Sequence, residues 1–261
     1  MLLANQEVAK YIGHDSKKIS GKDSVFVYRI HDAPDPERIE ELSIFLRSIG
    51  HNLGSEGGVV KAEDINKLFK SIEGHKEENL IKTATIRSMA KAVYSTKNIG
   101  HFGLAFTYYT HFTSPIRRYP DILVHRIVKS HLKGKIISSG EYNRYEKLAT
   151  YSSEREAEAT KAERDSIKYK QVEYMSELVG EEFDATISGV TDWGLYVEDV
   201  ETKSEGLVHI RNIGDDYYTF DKKNYAIVGE RNKNKFTLGD SVRVKLIGAD
   251  LDARTLDFKF V

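Results

Sequence analysis

The residues best suited to chemistry lie in one short stretch, "HFTSPIRRYPD", His111 to Asp121. Two arginines stand between Pro115 and Pro120, beside hydroxyls and aromatics. A guanidinium is a permanent cation whose rigid fork of donors matches phosphate oxygens. Proline restricts the backbone on either side, so little entropy is lost when such groups are aimed. Asp121 could pair with Arg118 or Arg126, and that would leave Arg117 free. A metal site built from His101, His111, His125 and His131 has no HxH or HExxH spacing and few carboxylates nearby. A Ser114 nucleophile lacks a recognisable base. Phosphate clamping fits the stretch best.

The surrounding composition agrees. From residue 80 to 135 there are ten Lys and Arg against one acid, Asp121, inside a chain of net charge −1. A basic island in an otherwise acidic chain attracts phosphates locally. With 261 residues, 40% hydrophobic and 30% charged, the sequence is that of a globular protein of one large or two ordinary domains. No cysteine is present, which excludes disulfides and thiolate chemistry and suits a reducing cytoplasm. No apolar run would span a bilayer, so no membrane partner is expected. The opening "MLLANQEVAKYI" has helical spacing without a capping residue, the expectation for a chain that starts inside a domain.

The elements that must position the arginines read as helices. "DAPDPERIEELSIFLRSIG" offers Asp35 as a cap, Pro36 in the first turn, and Ile39, Leu42, Phe45, Leu46 and Ile49 as a stripe. After the glycine-rich "GHNLGSEGG", helical patterns cover 62–72 and 77–94. The motif runs into "DILVHRIVKSHL", with Ile122, Leu123, Ile127 and Val128 toward a core. Residues 141–179 lack Gly and Pro and read as a strut roughly 60 Å long at 1.5 Å per residue. Lys161–Asp165 and Asp165–Lys168 are side-chain pairs on it.

After Gly180 the period becomes two. "EFDATISGV", "GLYVE", "EGLVHI", "SVRVKLI" and "TLDFKF" predict five short strands and a small closed barrel of the OB type. Alternation sends Leu195 and Val197 inward, and Tyr196, Glu198, His209 and Arg211 outward. With Trp193, these outer residues form a surface on which single-stranded bases can stack, at about 1–3 kcal/mol per base. The fold class is therefore α+β, with domains at 1–178 and 179–261.

The barrel segments "TDWGLYVE", "EGLVHI" and "LGDSVRVKLIGADLDARTLDF" resemble the S1 domain, an RNA-binding OB-fold. By position, the resemblance puts RNA contacts at Trp193, Tyr196, His209, Asp250 and Arg254. "TIRSMAKAVYSTKNIGHFGLAFTYYTHFTSPIRRYPDILVHR" is similar to part of the RNB catalytic domain of the ribonuclease II/ribonuclease R family. "FVYRIHDAPDPERIEEL" and "KAERDSIKYK" are similar to flanking segments. The insertion "DDYYTF…VGER…FTLGD" leans toward the ribonuclease R branch. The resemblance implies Mg²⁺-dependent 3′–5′ hydrolysis of single-stranded RNA to nucleoside 5′-monophosphates. It implies Arg117 as the catalytic arginine and Glu163 as a carboxylate near the 3′-terminal nucleotide, with Arg118, Tyr119 and Arg126 supporting the motif. The family's metal-binding aspartate cluster has no counterpart here. The expectation is thus a part of an exoribonuclease, inactive alone, whose partners are single-stranded RNA and the remaining half of the RNB domain. The alternative is a non-catalytic RNA-binding protein that keeps the RNB segment as scaffold.

Overall fold

A computed structural model describes residues 1–15, 25–54, 60–75, 78–135, 137, 139–214, 216–221 and 226–261. Residues 55–58 of the glycine-rich stretch, Glu77 and Asp215 lie outside the described residues. The chain is α+β and divides into two compact units. One comprises residues 1–38, 56–64 and 88–160; the other comprises 39–55, 65–87 and 161–261.

Helix α1 (Leu2–Lys10) opens the first unit without a side-chain cap. Strand β1 (Tyr28–Ile30) pairs antiparallel with β2 (Val93–Ser95). The helical pattern read across 77–94 therefore ends early: a helix forms over Glu78–Ser88, and Val93, Tyr94 and Ser95 pair as strand instead. Long-range pairing with Tyr28–Ile30 overrides the local pattern there. Helix α5 (Tyr119–Leu132) buries Leu123, Val124 and Ile127 against Ile12, Phe26, Val27 and Ala149. Preceding it are α2 (Pro36–Ser48), α3 (Ala62–Ser71) and α4 (Glu78–Ser88). Asp35 accepts the Glu37 N–H at 2.8 Å, satisfying one donor at the start of α2.

The strut forms as one helix, α6 (Tyr142–Ser176), 35 residues or about 52 Å. Most of its middle is exposed, and its ends carry the buried residues: Ala149 and Ser152 in the first unit, Val172 and Met175 in the second.

In the second unit, β3 (Glu182–Thr191), β4 (Gly194–Asp199), β5 (Glu205–His209), β9 (Ser241–Asp250) and β10 (Thr255–Phe260) close a barrel in the order β10-β5-β4-β3-β9. These are the five strands that the period of two predicts. Only the β5–β10 pair is parallel, and it seals the barrel. Leu195, Val197, Val208, Val244, Leu246, Leu256 and Phe258 fill the interior, with Val172 and Met175 of α6 packed onto the same core. Gly206 sits where a Cβ would come within 2.5 Å of both Leu256 O and the Phe258 ring, so this strand position admits no side chain. The insertion forms its own antiparallel sheet, β6 (Tyr218–Asp221), β7 (Ala226–Gly229) and β8 (Lys235–Thr237).

Candidate nucleic-acid interface

In the first unit, the stretch around the two arginines is fixed from within. Ser114 starts a turn whose carbonyl accepts the N–H groups of Arg117 and Arg118, at 3.3 and 3.1 Å. Arg118 is the extended N-cap of α5, and Pro120 occupies its first turn. Asp121 is wholly buried. Its Oδ2 accepts the Ser114 N–H at 2.7 Å and a guanidinium N–H of Arg118 at 2.9 Å. One carboxylate thus ties both ends of the turn and neutralises one arginine. The other, Arg117, remains exposed, as does Ile116 beside it. Tyr119 and Arg126 are exposed on α5.

Behind the turn lies a polar chain that sequence reasoning missed. Glu156 on α6 takes both terminal nitrogens of Arg29, at 2.5 and 3.1 Å. The Arg29 guanidinium lies 4.6 Å from the centre of the Tyr94 ring, and the Tyr94 hydroxyl meets His111 Nδ1 at 2.8 Å. Burial, with Arg118 and Arg29 adding to it, pushes the His111 pKa down to about 3. Burial, followed by His31 and Arg29, lowers that of His101 to about 4. Burial raises Tyr94 to about 12. His111 is therefore a neutral hydrogen-bonding support for the stretch it begins. No local signal could have found this chain, since its members are 17 to 127 positions apart.

In the second unit, the register assembles the aromatic surface. Tyr196 pairs with Leu207 and Gly194 with His209, so Tyr196 and His209 are diagonal neighbours on the outer face, about 7–8 Å apart between Cα atoms. Gly189 lies opposite Tyr196, where a Cβ would stand 3.3 Å from the tyrosine Cβ and 3.4 Å from its ring. Trp193 is 49% exposed at the β3–β4 turn. Its carbonyl accepts the Ile210 N–H at 2.9 Å, joining this turn to the end of β5. Arg211 is exposed, on a 3-10 turn (Ile210–Asn212) rather than on the strand.

The other two barrel residues are engaged within the chain. Asp250 Oδ1 accepts the Ala253 N–H at 2.8 Å in the β9–β10 turn. Arg254, at φ +56°, donates to Asp165 of α6 at 3.1 Å. Asp165 thus faces Arg254 rather than Lys161 or Lys168, because the barrel offers a guanidinium beside the helix. Glu163 is exposed on α6.

A family model of the RNB domain matches residues 1–134, and one of the S1 RNA-binding domain matches residues 178–259. The chain belongs to the RNB family. It is 38% identical over 262 residues to ribonuclease R of Aquifex aeolicus and 36% identical over 266 residues to that of Thermotoga maritima. Each comparison covers all of this chain and 36% of the relative. The chain therefore spans about a third of the length of these curated relatives. Among solved structures, RNase R of Mycoplasma genitalium bound to ribose-methylated single-stranded RNA shares the fold. Its TM-score is 0.88 at 24% identity, covering all of this chain and 40% of that one. The correspondence is to the RNB and S1 region of ribonuclease R.

The metal expected for such a family does not fit the residues present. Among the described residues, no three His, Asp or Glu side chains converge to hold an ion. The acids nearest to candidates are already engaged. Asp121 is bound to Ser114 and Arg118, Asp216 to three backbone amides and Arg231, and Asp250 to Ala253.

Proposed function

We propose that this chain is the RNA-holding part of a 3′–5′ exoribonuclease of the ribonuclease R type, which hydrolyses single-stranded RNA to nucleoside 5′-monophosphates. In this reading Arg117 binds the scissile phosphodiester and stabilises the charge that grows on it in the transition state. Arg118 and Asp121 hold the turn, Tyr119 and Arg126 flank it, and Glu163 contacts the 3′-terminal nucleotide. Residues 179–261 act as the RNA-binding domain, in which Trp193, Tyr196 and His209 stack bases, Arg211 and Arg254 meet phosphates, and Asp250 faces the RNA. The observation that carries the reading is the unequal treatment of two adjacent arginines. Arg118 is neutralised by a buried carboxylate, and Arg117 is left exposed on a proline-bounded turn. A structural arginine would be paired; a ligand-binding one is held ready.

The cation-dependent part of the chemistry belongs to carboxylates other than those described here. By itself the chain is expected to bind RNA without degrading it. The test supplies the acidic portion of an RNB domain in trans and compares wild type with Arg117→Ala on labelled RNA. Wild type should release mononucleotides, and the variant should be slower by about 10²–10³-fold, the usual cost of removing one group that stabilises a transition-state oxyanion. Equal rates would remove Arg117 from the reaction. The absence of a metal-holding cluster among the described residues also favours a second reading, a non-catalytic RNA-binding protein. Salt-sensitive RNA binding with no hydrolysis in trans would select it.

A further inference from the structure

The β7–β8 turn is built far more tightly than a surface hairpin needs. Asp216 lies at its centre with a side chain only 1% exposed. Its Oδ1 accepts the Tyr217 N–H at 2.7 Å and Arg231 Nε–H at 3.0 Å; its Oδ2 accepts the N–H groups of Arg231 and Asn232, both at 2.7 Å. The Asn232 amide, followed by the Arg231 side chain and the other two amides, holds this carboxyl well below the usual range. Asn232 in turn accepts the Asn234 N–H at 2.9 Å and donates to the Tyr218 hydroxyl at 3.1 Å. A Cβ at Gly229 would sit 2.1 Å from Asn232 Oδ1, so a side chain there would displace the Asn232 amide from the turn. Lys233 adopts φ +57°, the left-handed region.

This scaffold displays cations. Arg231, Lys233 and Lys235 are exposed, and Glu230 is the one exposed acid between residues 229 and 235. The Arg231 side chain is 82% exposed although its Nε is fixed, which leaves its outer amino groups oriented and accessible. Tyr217, bonded through its backbone to the same carboxylate, is 70% exposed. The position of the tip is equally informative. Strand β6 packs against the 3-10 turn that carries Arg211, and that turn follows His209 directly. The insert therefore adjoins the end of β5 that carries His209.

We propose that Tyr217, Arg231 and Lys233 form a second RNA subsite, which takes the sugar-phosphate backbone of a strand already stacked on Trp193 and Tyr196. This rests on the reading of the barrel as an RNA platform. A guanidinium pinned at Nε loses little freedom when it binds a phosphate, so the contact favours long strands at small entropic cost.

The test measures binding of the full chain to single-stranded oligoribonucleotides of about 4 and about 16 nucleotides, the extremes of the OB-fold site size. Arg231→Gln and Lys233→Gly should leave the short strand unaffected. Each should weaken the long strand about threefold and reduce its salt slope by about 0.7. Lys233→Gly suits the left-handed backbone and breaks none of the turn's bonds, so its result stands even if Arg231→Gln loosens the turn. Wild-type affinity and slope on the long strand would overturn the proposal. Trp193→Ala separates the two ideas. Weakening of both strands supports the platform; no effect on either removes the platform, and this subsite with it.

Discussion

The barrel interior and the surroundings of the arginine turn are stabilised in opposite ways. The barrel interior is packed with apolar side chains such as Leu195, Val197, Leu246 and Phe258. Around the turn, a fully buried aspartate, a half-buried arginine and a nearly buried tyrosine joined to a histidine share the interior with Leu123 and Val124. Apolar packing is non-directional and tolerates adjustment, whereas a hydrogen-bonded carboxylate fixes direction. The molecule uses directional groups to fix the arginine turn and apolar ones to fill the barrel.

That contrast can be broken from either side. The largest effect is expected from Phe258→Ala, which empties the barrel centre and should cost about 3–5 kcal/mol. Trp193 is the one tryptophan, so its fluorescence reports this unit in denaturant titrations. Next comes Asp121→Ala, which strands Arg118 and frees the Ser114 amide. It should cost the first unit about 3 kcal/mol, read by tyrosine near-ultraviolet dichroism, while the tryptophan signal holds its midpoint.

Acid should separate the units more gradually. His101 and His111 are depressed to about 4 and about 3, against about 6.5 in an unfolded chain. Between those values the unfolded state binds more protons, so stability is complete above about pH 6.5 and falls as pH drops toward 3. Urea midpoints of the tyrosine signal should fall through this window, and His111→Gln should flatten the slope. An unchanged slope would mean that His111 is not the buried neutral group described. The smallest effect belongs to Arg117→Ala. An exposed residue with no side-chain bond among the described residues should change stability by at most about 0.5 kcal/mol. A large loss of stability would make Arg117 a structural residue and erase the distinction from Arg118.

The same contrast explains what could be read in advance. The barrel strands were legible because alternation is written locally: Leu195, Val197 and Val208 face inward as the period of two demands. The insert was visible as an interruption, but its three strands were not, since β8 has only three residues and no alternation of its own. The stripe of α2 was legible, as was the unbroken span of α6. The strand at Val93–Ser95 was not, because its partner lies 65 residues earlier and nothing local favours it over a helix. At the candidate site, Asp121 was readable as a partner for Arg118, three positions away on the same helical turn. Glu156, Arg29 and Tyr94 were not, because their meeting depends on how the first unit folds. Arg254 shows the converse limit: its match to an RNA-facing position gave no hint that Asp165 also faces it.

The parallel seam between β5 and β10 has a consequence for synthesis. Strand β10 is the final one, so β5 and β9 keep bare ladders of amide and carbonyl groups until residues 255–260 have left the ribosome. A chain that stopped before Thr255 would be a module with two open flanks, a template for pairing with other nascent chains. For this barrel, the last six strand residues decide between a closed module and an aggregating one.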